Sequence, residues 1–464
     1  MTTLQFLGAA KTVTGSKYVL KVNGTRTLID CGLFQGFKDL RERNWNPLPI
    51  NPESINWVLL THAHIDHTGY LPRLVRDGFK GPVYATRATE ALLEIMLPDS
   101  AKLQEEEADY ANRKGYSKHH PALPLYTEAD ARKALQQVQS VDYNETVRLN
   151  KFIHARFVSV GHILGSSYVE VNIDHPDQAP IKIIFSGDVG RYDEPILNDP
   201  SPADEADYLL VESTYGDRIH DQTNPKERLA EIITETAKQG GKIIIPAFAV
   251  GRTQLLVYYL RELEEEDRIP ILPVIVDSPM GSGATRLYMK HKDDHDQDMR
   301  EIQSAGRNPL TTNIFSLVGG RKGSKALNDL RGPAIIISAS GMANGGRVLH
   351  HLSRYLPDPA SSVIFVGYQA AGTRGRRLQD GEKEIKIHGE MVPVRARIES
   401  VGSLSAHADA NELLRWLSSF KRPPKTTFIV HGEEASMNAL RQKIITELGW
   451  NVAIPNYLDE VELT

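Results

Sequence analysis

The sequence predicts an α/β protein with more than one domain, and three observations support that prediction. The chain has 464 residues, more than a single hydrophobic core ordinarily organises. Short apolar runs of strand length recur throughout it. After about residue 207 these runs alternate with helical patterns, which is typical of a doubly wound parallel sheet.

The first elements predicted are a β-hairpin and a strand. Residues 18–22 and 25–30 are β-rich, and Asn23-Gly24 between them indicates a type I′ turn. Residues 55–60 form an apolar run, which the polar segment THAHIDHTG and then a helical pattern follow at once. This order places polar side chains at the carboxyl end of a strand, where ligands converge.

The remaining elements follow in order. Residues 86–140 are predicted to be mainly helical, with Thr127 as a helix cap. Further strands are predicted at 152–160, 166–173, 181–185, 208–211, 242–246, 271–276, 334–338, 362–366, 394–399 and 427–430. Helices are predicted at 225–238, 251–265 and 345–355.

Composition limits the classes of function. One cysteine, Cys31, excludes an internal disulfide framework and a cysteine zinc knuckle, so a metal would need histidine and carboxylate ligands. A net charge of −5 argues against a general nucleic-acid coat protein, although a nuclease with cations concentrated in one cleft stays possible. Without a bilayer-length apolar stretch or a secretion signal, we expect a cytoplasmic protein that contacts no membrane.

The strongest chemical signal is the run His62-Ala-His64-Ile-Asp66-His67. Alternate residues of an extended segment point the same way, so His62 and His64 can bind one cation together. Asp66 and His67, after the chain turns into a helix, can face a second cation. Imidazole and carboxylate ligands suit zinc, and a site with an open water position is catalytic.

Four ligands do not complete two zinc sites, and further candidates follow strand-like runs. These candidates are His162, Asp188 and His431, and the Asp188 carboxylate could bridge both metals. Asp30, at the end of the hairpin, is predicted to brace the ligands rather than bind metal. Each residue alone could equally belong to an ordinary turn, so the prediction depends on the set.

The motif series THAHIDHTG, GHILGSS, SGDVG, SAHAD and IVHGE resembles that of the metallo-β-lactamase superfamily, and more narrowly its β-CASP nucleases. VESTYGDR, IPAFAVGRTQLL, SASGMANGGR and GYQAAGTRGRRL extend the resemblance over nearly the whole chain. The resemblance implies an αββα metallo-β-lactamase sandwich in residues 1–205 and 393–464. Residues 206–392 would then be an inserted, doubly wound β-CASP domain.

The resemblance also implies specific roles. One zinc ion would lie on His62, His64 and His162, and a second on Asp66, His67 and His431, with Asp188 bridging, so that two Zn²⁺ are expected per chain. The remaining β-CASP positions fall on Glu212 and His407. RNA-processing members of the family have a histidine where this chain has His431, which favours single-stranded RNA over DNA as substrate.

The chemistry expected is hydrolysis of a phosphodiester bond. A water molecule between two zinc ions loses its proton near neutral pH and attacks phosphorus. His407 would protonate the departing 3′ oxygen, with Glu212 orienting it and Asp66 beside the metals, leaving a 5′ phosphate and a 3′ hydroxyl. Cleavage from an end and cleavage within the chain both stay open.

Two glycine-rich segments are predicted to hold phosphate, although either could be an ordinary turn. Their candidate residues are Ser338, Ser340, Gly341, Arg374 and Arg376. Three alternatives to a ribonuclease also stay open: a DNA nuclease of the same fold, a thioester or lactone hydrolase, and a non-catalytic scaffold. A homodimer is possible.

Overall fold

The computed structural model describes residues 1–115, 117–174, 179–221, 223–367, 369, 372–402 and 404–464. The chain forms two compact units. The first consists of Met1–Asp193, Asn198–Ile219 and His407–Thr464, and the second of Glu194–Leu197 and His220–Ala406. The domain ranges expected from the sequence, 1–205, 206–392 and 393–464, stay predictions.

Strands outnumber helices in the described part of the chain up to residue 211. They are β1 (Thr2–Phe6), β2 (Tyr18–Val22), β3 (Thr25–Ile29), β4 (Trp57–Leu59), β5 (Val83–Thr86), β6 (Val138–Val141), β7 (Thr146–Arg148), β8 (Ile153–Ser159), β9 (Ser167–Ile173), β10 (Ile181–Phe185) and β11 (Tyr208–Val211). The helices of this stretch are α1 (Lys38–Arg43), α2 (Ile65–Thr68), α3 (Leu71–Arg76), α4 (Arg87–Lys114) and α5 (Glu128–Leu135).

Helices and strands alternate in most of the rest of the chain. The helices are α6 (Pro225–Lys238), α7 (Arg252–Glu265), α8 (Pro279–Lys290), α9 (Gln297–Ser304), α10 (Arg321–Ala326), α11 (Val348–Tyr355), α12 (Arg374–Gln379), α13 (Ala410–Leu417) and α14 (Glu434–Leu448). The strands are β12 (Lys242–Pro246), β13 (Pro273–Val276), β14 (Ile314–Leu317), β15 (Ala334–Ser338), β16 (Ser362–Val366), β17 (Glu384–Ile387), β18 (Glu390–Pro393), β19 (Arg397–Val401), β20 (Thr426–Ile429), β21 (Val452–Ala453) and β22 (Glu460–Leu463).

The first unit is built on two seven-stranded sheets. Their strand orders are β22-β1-β2-β3-β4-β5-β6 and β21-β20-β11-β10-β9-β8-β7. The predicted hairpin is confirmed as β2 and β3, and its turn has positive φ at both Asn23 (47°) and Gly24 (86°), as type I′ requires.

The two sheets pack face to face through one apolar core. Phe6 of β1 lies with its ring centroid 5.3 Å from that of Phe428 of β20, and Tyr18 of β2 lies 6.3 Å from Phe185 of β10. All four rings are buried. Alternation along β10 buries Ile183 and Phe185 in this core, where they lie against the first sheet.

Helices cover the outer faces of both sheets. Ile184 of β10 belongs to a second apolar cluster, in which Trp416 of α13 and Leu440 of α14 pack against the second sheet. Helices α3, α4 and α5 pack together, and α4 also contacts β5 and β6. Thr127 caps α5 with a capping box, as predicted. The predicted αββα sandwich is confirmed.

The second unit contains a six-stranded sheet of order β14-β13-β15-β12-β16-β19, in which all neighbouring strands are parallel. Every residue of β12, β15 and β16 is buried, as expected for a parallel sheet covered on both faces. The predicted doubly wound arrangement is thus confirmed. The strand predicted at 394–399 is β19, which pairs with β16 in this sheet.

The carboxyl ends of the strands in the first unit gather the predicted metal ligands. β10, β11 and β20 are parallel neighbours, and the chain after them carries Asp188, Glu212 and His431. β3 and β4 are also parallel neighbours, and they precede Asp30 and His62. Within the described residues, no helix combines the length and apolar character that crossing a bilayer requires.

Candidate metal centre

Hydrogen bonds hold both ends of the segment His62–His67, which follows β4 and includes the first residues of α2. The Thr61 N–H donates to Asp30 Oδ1 (2.8 Å). At the other end, the Cys31 N–H donates to the carbonyl oxygen of His67 (2.6 Å). Gly32 is required by this packing, because a Cβ atom there would lie 1.6 Å from the carbonyl oxygen of Asp66.

The first group of donor atoms comes from three histidines and one carboxylate. His62 Nε2 lies 3.1 Å from His64 Nδ1, which lies 3.3 Å from His162 Nε2. Asp188 Oδ2 lies 3.3 Å from His62 Nε2 and 3.5 Å from His162 Nε2. The fold therefore brings together four donors from three separate segments of the chain.

The second group faces the other oxygen of Asp188. His67 Nε2 lies 3.2 Å from His431 Nε2 and 3.2 Å from Asp188 Oδ1. His431 Nε2 lies 3.5 Å from Asp66 Oδ2. Asp188 is 1% exposed, and its Oδ1 atom has no hydrogen-bond partner within the described part of the chain. The Asp188 carboxylate thus lies between the two groups.

These distances fit a divalent cation in each group. Tetrahedral zinc with ligands at about 2.0–2.2 Å requires donors about 3.3–3.5 Å apart, close to the separations in both groups. Without a cation, it is unfavourable to bury imidazole nitrogens side by side and to bury a carboxylate oxygen that has no hydrogen-bond partner. His62, His64, His162 and Asp188 would hold one ion, and Asp66, His67 and His431 the other, with Asp188 shared.

Burial sets the protonation of the first group. It lowers the pKa of His62 to about 3 and that of His64 to about 4. Burial also holds the pKa of His162 well below its usual value. All three imidazoles are consequently neutral at physiological pH, which is the form that binds metal.

The carboxylate pKa values are lowered instead. Burial alone would raise the pKa of Asp188, but the neighbouring His431, His67 and His62 hold it well below its usual value. Burial would likewise raise the pKa of Asp66, but its hydrogen bond to His431 and the neighbouring His67 and His64 together lower it. Both carboxylates are therefore ionised in the state that binds cations.

Polar side chains behind the ligands fix which ring nitrogen faces the centre. His67 Nδ1–H donates to Asp30 Oδ2 (2.7 Å), which leaves Nε2 as the donor toward a metal. The Thr61 hydroxyl lies 2.9 Å from Asp30 Oδ2 and 3.1 Å from His62 Nδ1. Asp30 thus orients two imidazoles, one directly and one through Thr61.

His431 has an equivalent partner that the sequence did not predict. Its Nδ1 atom lies 3.2 Å from the hydroxyl of Thr214, which lies two residues after Glu212. His431 also has a left-handed backbone, with φ of 49°, and its N–H donates to the carbonyl oxygen of Ala9 (2.8 Å). A lone threonine carries no sequence signal for this role, because the contact exists only in three dimensions.

His407 lies beside the first group of donors. Its Nδ1 atom is 3.2 Å from Glu212 Oε1, and its ring centroid is 4.5 Å from that of His162. Burial would lower the pKa of His407, but the Glu212 carboxylate outweighs it and raises the pKa to about 9. The His407 side chain is 21% exposed, whereas Glu212 is fully buried and also accepts a hydrogen bond from the Val189 N–H (2.7 Å).

The residues predicted to hold phosphate lie in the second unit. Ser338 is buried, and its hydroxyl donates to the carbonyl oxygen of Asp277 (2.9 Å). The Gly341 carbonyl oxygen accepts a hydrogen bond from the Gln369 amide (3.1 Å), and Ser340 is half-buried.

The two predicted arginine clamps have protein partners. Arg374 donates to the carbonyl oxygens of Lys386 and Asn344 (both 2.9 Å), and Arg376 pairs with Asp380 (2.9 Å). Phosphate contacts at all five positions stay predictions. Within the motif GYQAAGTRGRRL, Tyr368, Ala370 and Ala371 lie outside the described residues.

Three family models match successive parts of the chain. The model of the metallo-beta-lactamase superfamily matches residues 12–230, and that of the Beta-Casp domain matches 253–378. The model of the Zn-dependent metallo-hydrolase RNA specificity domain matches residues 391–455.

Similar proteins cover nearly the whole chain. Ribonuclease TTHA0252 of Thermus thermophilus is 38% identical over 451 residues, which are 97% of each protein. Transcription termination factor FttA of Methanocaldococcus jannaschii is 31% identical over 443 residues, which are 93% of this chain and 67% of that protein. A solved structure of a protein of unknown function from Enterococcus faecalis V583 matches over 100% of both chains, with a TM-score of 0.53 and 14% identity, and supports the fold alone.

Together, the sandwich and its cluster of histidine and aspartate donors define a metal-dependent hydrolase. The chain belongs to the β-CASP family of the metallo-β-lactamase superfamily.

Proposed function

We propose that this chain is a ribonuclease that hydrolyses phosphodiester bonds of single-stranded RNA with two zinc ions held side by side. The observation that carries the proposal is the position of Asp188. Its two carboxylate oxygens lie 3.3 Å from His62 Nε2 and 3.2 Å from His67 Nε2. A carboxylate shared between two groups of histidine and aspartate donors suits a pair of cations.

RNA as the substrate is supported by three observations. A model described as an RNA specificity domain matches residues 391–455, and that range contains His431. A relative that shares 38% of its residues over almost its whole length is named a ribonuclease. His431 is itself the residue type that RNA-processing members of the family carry at this position.

The bound ions would lower the pKa of a water molecule between them and offset negative charge that develops at phosphorus. The chain's own residues would hold this arrangement still. Asp30 fixes the His67 ring and, through Thr61, the His62 ring, so the ligand set needs little reorganisation during reaction.

His407 is the proposed proton donor to the departing 3′ oxygen. Glu212 lies 3.2 Å from the His407 Nδ1 atom and would orient the imidazole for this role. The His407 side chain is 21% exposed, so a bound RNA could contact it. The products would carry a 5′ phosphate and a 3′ hydroxyl.

Product mapping on a 5′-labelled single-stranded RNA tests the proposal. We expect RNA hydrolysis by the zinc-loaded chain that is abolished in His64→Ala and Asp188→Ala. In His407→Ala the rate should fall by about 10²- to 10⁴-fold while the zinc content stays unchanged. His154→Ala, which removes a histidine paired with Asp174 outside the metal centre, is the matched control.

The same assay separates the alternatives. Equal cleavage of single-stranded DNA would remove the RNA preference, and hydrolysis of thioesters or lactones without either polymer would favour a small-molecule hydrolase. Inactivity toward all of these substrates in zinc-loaded protein would favour the non-catalytic scaffold. The product lengths distinguish cleavage from an end from internal cleavage.

Self-association belongs to the proposal as well. A homodimer is possible, and light scattering during gel filtration of the zinc-loaded chain measures its mass directly. A mass equal to the 51.7 kDa of one chain would contradict it.

A further inference from the structure

Residues 35–45 form an exposed segment that is fixed at its base to the metal-binding loop. The Leu33 N–H donates to the carbonyl oxygen of Ile65 (2.9 Å), beside His64. The buried Asn44 side chain accepts from the Phe34 N–H (2.9 Å) and donates to the Phe34 carbonyl oxygen (2.7 Å), which closes the segment into a loop. Its position relative to the metal centre is thus set by hydrogen bonds at its base.

Two aromatic side chains of this segment face solvent. Phe37, directly before α1, is 71% exposed, and Trp45, directly after Asn44, is 50% exposed. Because Phe37 is four residues from Leu33, its Cα lies within about 14 Å of the anchor beside the metal-binding loop. Exposing two large aromatic rings to water is unfavourable. No residue of α1 is buried, so the packing of this helix gives no structural reason for the exposed rings.

The segment also carries arginines without an acidic partner. Lys38 pairs with Glu42 (3.5 Å). Among the described residues, neither Arg41 nor Arg43 has a carboxylate within ion-pair distance, although the net charge of the chain is −5. Arg43 instead lies over the ring of Tyr457, with its Cζ atom 4.3 Å from the centroid. An uncompensated positive charge beside exposed rings complements an anionic, base-bearing partner.

We propose that residues 35–45 bind the substrate strand outside the metal centre, with bases stacked on Phe37 and Trp45 and phosphates attracted by Arg41. Exposed aromatic faces with neighbouring cations are the arrangement by which proteins bind single-stranded nucleic acid without reading its sequence. The inference rests on the proposed ribonuclease function and adds a binding surface for nucleotides that are not being cleaved.

Binding and hydrolysis measured separately test this surface. The probe for binding is a fluorescently labelled phosphorothioate single-stranded RNA, which is hydrolysed slowly, added to the zinc-loaded chain. Phe37→Ala and Trp45→Ala should each raise the dissociation constant about fivefold or more, the factor expected for losing one stacked base. Hydrolysis of bis(p-nitrophenyl) phosphate, a small diester with no flanking nucleotides for the segment to bind, should keep its wild-type rate in both variants.

Conservative and matched variants isolate the aromatic face. Phe37→Trp and Trp45→Phe should keep wild-type binding, whereas Phe37→Leu, which is apolar but not aromatic, should bind as weakly as Phe37→Ala. Leu123→Ala removes another exposed apolar side chain of the same unit, 64% exposed, and should change nothing. Arg41→Gln should make the dependence of log K on log salt less steep by about 0.7, the value for one contact to single-stranded nucleic acid.

Wild-type binding in both Phe37→Ala and Trp45→Ala would overturn the inference. So would loss of bis(p-nitrophenyl) phosphate hydrolysis in these variants, because the segment would then support the metal loop rather than the RNA. A wild-type chain that binds the probe through Phe37 and Trp45 but cleaves no RNA would support the binding surface and reject the ribonuclease function alone.

Discussion

Asp30 accepts a hydrogen bond from His67 Nδ1–H over 2.7 Å, and the same carboxylate accepts from both the N–H and the hydroxyl of Thr61. One buried side chain therefore orients ligands of both donor groups. Asp30 has a left-handed backbone, with φ of 57°, which asparagine and aspartate tolerate better than most residues.

Asp30→Asn should weaken zinc binding by about 10- to 100-fold, because the amide offers one acceptor oxygen where the carboxylate offers two. The left-handed backbone suits asparagine, so the fold should persist. Competition with a chelating dye measures the affinity, and circular dichroism checks the fold. Asp142→Asn, which removes a surface partner of Arg87, is the control, and equal zinc affinity in both variants would contradict the role of Asp30.

Zinc content should distinguish the two donor groups. His64→Ala and His431→Ala each remove a ligand of one group, so each variant should retain about one zinc ion per chain. Asp188→Ala removes the carboxylate that both groups share and should lower the content further. Elemental analysis after gel filtration gives these numbers, and identical losses in all three variants would argue against two separate groups.

Gly32→Ala should displace the metal-binding loop, because the new methyl group would overlap the carbonyl oxygen of Asp66. We expect lower zinc content and a lower melting temperature, with a cost of about 1–3 kcal/mol for overpacking. Gly319→Ala is the matched control, since a Cβ there meets no atom within 4 Å. Wild-type zinc binding in Gly32→Ala would show that the loop adjusts without loss.

We expect Lys17 to make the free energy of unfolding depend on pH in the alkaline range. Its side chain is 2% exposed, and burial lowers its pKa from the usual 10.5 to about 8. Between these values the unfolded chain binds more protons than the folded one, so the free energy of unfolding contributed by Lys17 rises with pH.

The contribution of Lys17 amounts to about 3 kcal/mol between neutral pH and pH 10.5. Urea unfolding of the wild type and of Lys17→Met across this range measures it. The wild type should gain stability relative to the variant as pH rises, because the variant has no group to titrate at this position. If the difference in unfolding free energy between the wild type and Lys17→Met stays constant with pH, the prediction is wrong. The protein would then stabilise the buried ammonium group as well as water does.

Much of this structure was predictable because its signals are local. The hairpin follows from an Asn-Gly pair between two β-rich runs, and Thr127 caps α5 through residues three positions away. The segment His62–His67 carries its chemistry in six consecutive positions. Each of these features depends on neighbours in sequence, so reading the chain in order was sufficient.

The features that were not predicted depend on distant partners. β1 pairs with β22, about 460 residues later, and neither strand has a sequence pattern that identifies the other. Thr214 contacts His431 across 217 residues through one hydroxyl group. β19 is recognisable as a strand, but its place beside β16 depends on which neighbouring strand is free to pair.

The order of the ligands along the chain has a consequence for protein synthesis. His62–His67 leaves the ribosome early, but His431 follows only after the whole second unit has been made. If both donor groups are needed for hydrolysis, a polypeptide interrupted before residue 431 would hold an incomplete set of ligands and remain inactive. Prematurely terminated translation products would then pose little risk to cellular transcripts.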